Sequence, residues 1–285
     1  MNSLLTISLE QGLIFAVLAI GVFITYKILD FPDMSVEGTF PLGAFIFAKF
    51  VTGGMNPVTS TILAFVFGSL AGIITYFLHI KMRIASLLAG ILTMTILYSV
   101  NLRINGKANI PLYNNGSVFD YGNKILVLAV IVIIIKVLMD IFLKTEIGYL
   151  LIATGDNETL VKSLGVSCDK FKLLGLMLSN GIVSVSGALM AQSQGFSDIN
   201  MGTSIIVSAL ASIIIGDTIL KKSTKINGTT RAVLGAVSYK IIGGFAIDLG
   251  FAPTDLKAIS AAIVIIFIGY NNMSFFNFKK KIKER

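Results

Sequence analysis

The sequence is short of the residues that build sites. It has one cysteine, Cys168, and one histidine, His79, in 285 residues. A single thiol excludes an intrachain disulfide and a cysteine metal site. His79 stands beside Lys81 and Arg83, which marks a helix end at an interface rather than a ligand or a catalytic base. No paired catalytic motif accompanies either residue, so no catalytic and no metal-ligating residues are expected and the chain is not read as an enzyme. No G-x-x-x-x-G-K-S/T stretch occurs, so the chain has no phosphate loop with which to hydrolyse ATP itself. Charge is scarce too. Only 13% of residues are charged, against about 25% in soluble globular domains.

What is present is apolar. Hydrophobic residues make up 55% of the chain and the mean hydropathy is +0.86. Most of the chain is therefore solvated by lipid or by other apolar segments. The N-terminus, MNSLLTISLE, lacks a basic region, so no cleavable signal is expected. The net charge of +8 fits basic loops on an anionic cytoplasmic leaflet, and no nucleic-acid partner is expected.

A spanning helix needs about 20 apolar residues. About nine segments qualify: 10–29, 36–52, 57–78, 84–101, 124–143, 172–192, 202–220, 229–247 and 255–271. The runs are too long and too uniformly apolar for alternating barrel strands. The expected fold is all-α, a polytopic membrane bundle forming a single domain over 1–285. With the N-terminus outside, the inner loops carry 16 Lys and Arg and the outer loops 5. That excess places the C-terminus in the cytoplasm. The turn at 30–37 is acidic and either reaches the cytoplasm or re-enters the membrane. Ala64, Gly68 and Gly72 recur every four residues, and Gly175, Ser179, Gly181, Ser184 and Gly187 form a second stripe; both are read as ordinary close helix packing.

Two apolar runs are broken in nearly the same words. FPDMSVEGTF (31–40) and FSDINMGTS (196–204) share F-x-D-M/I-S/N followed by G-T. The copies lie five segments apart, an odd number, so they have opposite orientation. That is the arithmetic of an inverted-topology repeat. Polar residues at such breaks are costly in lipid and tend to face a cavity. Asp33, Ser35, Glu37, Asp198 and Asn200 are thus candidates to line a translocation pathway, or to cap the helix that follows. Within segments, Lys136 and Asp140 share a helix face, so that they could pair, with snorkelling the preferred explanation. Lys240 is read as a snorkelling side chain, with a pathway role as the alternative.

The longest inner connection, 144–172, is too polar to span. Within it ETLVKSLGV reads as a short amphipathic helix with Leu160, Val161 and Leu164 on one face and Glu158 and Lys162 opposite. Asp156 or Asn157 would cap it and Gly165 would end it.

This loop and the helix after it, GYLLIATGDNETLVKSLGV (148–166) onward, resemble the coupling region of bacterial ABC-importer permeases of the branched-chain amino acid type. Gly148, Asn157, Leu164, Gly165, Val166 and Gly187 match the family pattern, whereas Ile152 stands where Arg is common. The opening GLIFAVLAIGVFITYKILDFPDMSVEGTFPLGA (12–44) is similar to the family's first conserved region. Its wording is closest to a subgroup linked to aromatic amino acid uptake, of tryptophan or tyrosine.

The resemblance implies a permease in the bacterial cell membrane that moves a small solute, an amino acid by preference. It implies a cytoplasmic coupling helix on which separate ABC ATPase subunits dock, through Gly155, Asp156, Asn157, Leu160, Val161, Leu164 and Gly165. It also implies a second permease copy in a homodimer and an extracytoplasmic solute-binding protein or lipoprotein, with the polar outer loop 101–124 as its docking site. ATP would be used by the partner ATPase, and no cofactor by this chain. The alternatives are an ion-coupled secondary transporter, or an ABC importer for another solute such as a nucleoside, a sugar or a vitamin.

Overall fold

The computed structural model describes residues 2–220 and 226–252 continuously and scattered positions from 255 to 269. The segment expected at 255–271 lies largely outside the described residues, as do the basic residues 221–225 and 279–285.

Ten helices carry the described chain. They are α1 (Asn2–Phe23), α2 (Val36–Thr52), α3 (Pro57–Tyr76), α4 (Ser86–Asn105), α5 (Lys124–Leu143), α6 (Glu146–Asp156), α7 (Glu158–Ser163), α8 (Cys168–Gln194), α9 (Ile205–Ile219) and α10 (Gly228–Asp248). The eight long ones fall on the first eight apolar segments. Six stretches are long and apolar enough to cross a membrane: those built on α1, α3, α4, α5, α8 and α9. The chain is a multi-pass, mostly helical membrane protein.

Local chemistry fixes the ends. Asn56 accepts a hydrogen bond from the Val58 amide at 2.8 Å, and Pro57 occupies the first position of α3, where its missing N–H costs nothing. Asn123 caps α5 through the Ile125 amide at 3.0 Å. Gly195 ends α8 at φ 76°, in the left-handed region open to glycine.

The first two hairpins repeat one device. α1 loosens into a π turn at Ile24–Ile28 and α3 into another at Phe77–Lys81. Each is followed two residues later by a non-glycine residue at positive φ, Asp30 at 57° and Arg83 at 58°. The chain then reverses into α2 and α4. The two exits touch, with the rings of Phe31 and His79 5.3 Å apart. His79 Nδ1 lies 2.8 Å from the Ile84 carbonyl, an end-of-helix role as expected.

α8 is the axis of the bundle. It packs on α1, α2 and α3, and its small residues permit the approach. Ser184 donates to the Ala64 carbonyl at 2.7 Å. A Cβ at Gly68 would overlap Ser184, and one at Gly72 would overlap the Leu176 backbone. The α3 stripe therefore faces Leu176, Asn180 and Ser184 of α8, whereas Gly187 of the second stripe lies against Phe40 of α2 and Gly175 against Leu29. α9 and α10 meet the same way, at Gly216 and Gly235. The connection between α4 and α5 holds a three-residue strand, β1 (Asn109–Pro111), which pairs antiparallel with β2 (Phe196–Asp198) after α8.

Candidate translocation pathway and coupling loop

The first break is clamped to the middle of α8. Asp33 is 2% exposed. One of its carboxylate oxygens accepts from the Ser35 amide and the other from Asn180 Nδ2, each at 2.9 Å. Asn180 Oδ1 in turn accepts from Ser35 Oγ at 3.1 Å and Thr39 Oγ1 at 2.6 Å. A buried carboxylate without such donors would be costly. Asp33 and Ser35 thus stand inside the wall, and Ser35 makes no side-chain cap of α2. Asn180 was not singled out from sequence, although an amide inside an apolar helix is a signal of its own.

The second break uses its aspartate differently. Asp198 caps a 3-10 turn at Ile199–Gly202 through the Asn200 amide at 2.8 Å. Its other oxygen accepts from Asn109 Nδ2 at 3.1 Å. It is tied to the α4–α5 loop rather than to the bundle axis. Ser204, at φ 64°, turns the chain into α9.

The two breaks meet. Pro41 has no N–H to return to the Glu37 carbonyl one turn earlier in α2. Against that carbonyl sits Gly202, where any Cβ would overlap the Glu37 oxygen. Beside this contact opens a cavity of about 270 Å³. Glu37, Pro41, Tyr98, Asn101, Asn200 and Thr203 are among its walls. Of the five pathway candidates, Glu37 and Asn200 line it, while Asp33, Ser35 and Asp198 are held in the hydrogen bonds above. Asn101 is fully buried and donates through Nδ2 to the Gly38 carbonyl at 3.2 Å. Its Oδ1 has no hydrogen-bond partner among the described residues.

In the connection 144–172, Thr145 caps α6 through the Gly148 amide at 3.2 Å. Gly155 lets α6 lie against the end of the first π turn, since a Cβ there would overlap the Ile28 carbonyl. Asn157 is the cap of α7, accepting from the Leu160 amide at 3.0 Å, and Gly165 closes the turn at φ 75°. Leu160 and Leu164 are 54% and 65% exposed, whereas Val161 is fully buried. The three do not share one outward face, because one helical step of about 100° turns Val161 into the protein. Asp156 is exposed. Glu158 accepts from Lys172 and, at 3.0 Å, from Lys162. The Lys172 hydrogen bond is the main reason its carboxyl is held below the usual carboxylate range. The same ion pair pushes Lys162 up.

Lys136 and Asp140 pair at 2.8 Å as their spacing allows. Asp140 also accepts from Thr229. A triad that sequence did not reveal joins three helices: Asp217 of α9 lies 2.9 Å from Lys27 at the end of α1 and 2.8 Å from Arg231 of α10. Lys240 rests its ammonium 3.5 Å from the centre of the Phe15 ring. Among the described residues no cluster of three or more His, Cys, Asp or Glu could hold a metal.

Residues 4–273 match the family model described as the permease component of the branched-chain amino acid transport system. The tyrosine transport system permease protein of Clostridioides difficile is 49% identical over 267 residues, which is 93% of this chain and 90% of that one. An uncharacterized protein of Rickettsia prowazekii is 35% identical over 273 residues, 93% and 96% of the two chains. A ribose import permease protein of Haemophilus influenzae is 24% identical over 269 residues. In three dimensions the chain is similar to PsaBC from Streptococcus pneumoniae in complex with Fab. The TM-score is 0.51 at 18% identity, covering 91% of this chain and 89% of that one. That likeness concerns the fold alone.

Proposed function

This chain belongs to the branched-chain amino acid transport permease family, and from that premise we propose that it imports an aromatic amino acid, with tyrosine as the first solute to test. It is an ABC-importer permease. The relative with the printed tyrosine role shares about half its residues with this chain over nearly the full length of both, which supports an amino acid over a sugar. The whole chain, 1–285, acts as one permease domain.

The observation that carries the mechanism is the contact of the two breaks at Glu37 and Gly202. α2 starts at this point and α9 starts just beyond it. With the N-terminus outside, these two helices leave the junction toward opposite faces of the membrane. That arrangement supports the inverted repeat and the reading of nine crossings. It places a pathway where two half-broken helices can separate. Alternating access then needs only a differential push on one side.

α7 supplies that push. Leu160 and Leu164 present an apolar tip to the cytoplasm for an ABC ATPase, while buried Val161 and the Gly155–Ile28 contact tie α7 and α6 to the foot of α1. Two permease copies in the membrane lipid, two ATPase subunits and an extracytoplasmic binding protein on 101–124 complete the assembly. Uptake of labelled tyrosine into sealed vesicles tests the reading. Uptake that needs ATP and the ATPase subunits is the expected result. Uptake driven by an ion gradient alone would instead establish a secondary transporter.

A further inference from the structure

We infer that a small inorganic anion of chloride size binds between α1 and α10, at Lys240. The two helices meet closely there. Gly12 lies against the Val237 backbone and the Lys240 stem, and a Cβ at Gly244 would overlap Ser8 Oγ. Beside these contacts opens a cavity of about 100 Å³. Ser8, Gln11 and Lys240 supply the polar part of its wall, and Leu4, Ile7 and Ile247 the apolar part. Lys240 stands eight residues before the end of α10 at Asp248, which is about 12 Å of helix. A cation at that depth is costly in hydrocarbon unless something answers its charge. The Phe15 ring covers one side of the ammonium, which compensates it in part.

No carboxylate completes the compensation. Glu10, next to Gln11 in the chain, is paired with Lys124 at 2.7 Å. Asp248 is exposed at the helix end. Among the described residues no ion pair includes Lys240. Ser8 is 8% exposed and Gln11 is half-buried, and neither side chain hydrogen-bonds to a described residue. An ammonium, a primary amide and a hydroxyl thus line one space with donors, and no acid lines it. Those groups recognise an anion, and hydrogen bonds to an ionised acceptor are the strong ones. Water would satisfy the donors and leave the charge. Size narrows the anion. A water takes up roughly 30 Å³ in the liquid, so the cavity suits a monatomic ion with a water or two. It is far below the roughly 300 Å³ at which sites for drug-sized ligands begin, so a whole aromatic amino acid does not fit. The site stands apart from the cavity at Glu37 and Gly202, and it neutralises a helix pair rather than carrying solute.

The test uses the full-length chain in phosphatidylcholine nanodiscs. Thermal melting is followed as sodium gluconate is exchanged for sodium chloride or bromide at constant ionic strength. Both halides are expected to raise the melting temperature by a few degrees and to saturate, because a ligand of the folded state stabilises by mass action. Gluconate is too large to enter. Line broadening of the chloride NMR signal on the same sample is expected to report the bound ion directly. Lys240→Met removes the charge and with it the need for an anion, so the halide response and the broadening are expected to vanish. Gln11→Leu keeps the lysine and is expected to weaken halide binding several-fold. A parent chain indifferent to halide, or a halide response kept in Lys240→Met, overturns the site. So does an equal rise with phosphatidylglycerol in gluconate that chloride does not increase, which would make a lipid phosphate the occupant. A rise with L-tyrosine that Lys240→Met abolishes would overturn it too, in favour of the solute carboxylate.

Discussion

Gly202 lies against the main-chain oxygen of Glu37 with no room for a side chain between them. The second break thus packs directly on the helix that begins at the first. Pro41, one turn on, withholds the amide that would otherwise hold that oxygen inside α2.

Gly202→Ala is therefore expected to force the two breaks apart. Overpacking of this kind costs roughly 1–3 kcal/mol. A lower melting temperature in detergent, with uptake falling further than the amount of protein in the membrane, is the expected outcome. Unchanged uptake would show that the contact does not shape the pathway.

Asn180 holds Asp33, Ser35 and Thr39 at once. Asn180→Leu strips a buried carboxylate and two hydroxyls of a partner, at about 1–3 kcal/mol for each buried group left unpaired. Asp33→Asn keeps hydrogen-bonding capacity and is expected to cost less. Thermal melts of the two variants check the order, and equal losses would assign Asp33 a role that depends on its charge.

The split on α7 separates docking from folding. Leu160→Asp and Leu164→Asp change exposed positions and are expected to stay within about 0.5 kcal/mol of parental stability. They should abolish co-purification of the ATPase and its coupling to uptake. Val161→Ala is expected to do the reverse, lowering stability by roughly 0.5–3 kcal/mol with docking kept. Normal ATPase capture by both leucine variants would move the docking site elsewhere.

Glu158 gives the coupling loop a pH dependence of known sign. Lys172 first, and Lys162 second, hold its carboxyl below the usual 4.5. A lowered value means the pair's contribution is complete above the usual Glu value and is lost as pH falls through the lowered one. Hydrogen-exchange protection factors of residues 157–165, which remove the intrinsic pH dependence of exchange, are expected to be constant from neutral pH down to about 5 and to fall in more acid solution. Glu158→Gln should remove the step. A step at neutral pH would contradict the pairing.

Lys240 contacts a ring, and the described ion pairs do not include it. Lys240→Met keeps the stem and is expected to leave uptake close to parental, losing only the roughly 0.5–2 kcal/mol of a cation–π contact. Loss of uptake with intact folding would place the ammonium in the pathway.

Hydrophobic run length located eight of the segments, because the cost of unpaired backbone in lipid leaves a chain few options. Seven fall within about four residues of the helices, while α1 begins at Asn2, ahead of the expected 10. Local chemistry was equally visible: Asn157 caps, Gly165 ends, and Lys136 pairs with Asp140. What sequence could not show was which of two similar aspartates goes where. Asp33 turns to Asn180, 147 positions away, and Asp198 turns to Asn109. Those partners lie on other elements, and no local spacing encodes them. Asn101 was hidden for the same reason. An amide near the end of an apolar run resembles a helix end until its neighbours Gly38 and Glu37 are brought beside it. Val161 was assigned outward by its apolarity, although a six-residue helix has to keep one apolar side chain inward to be anchored at all.

The pairing of Asn109–Pro111 with Phe196–Asp198 has a mechanical consequence. The ribbon fastens the long α4–α5 loop to the chain four residues before Gly202. If the proposed binding protein docks on that loop, its load would travel along a short, hydrogen-bonded tether to the contact between Gly202 and Glu37. On the proposed reading, delivery of solute and loosening at the centre would be geared together, with no helix needed to relay the force.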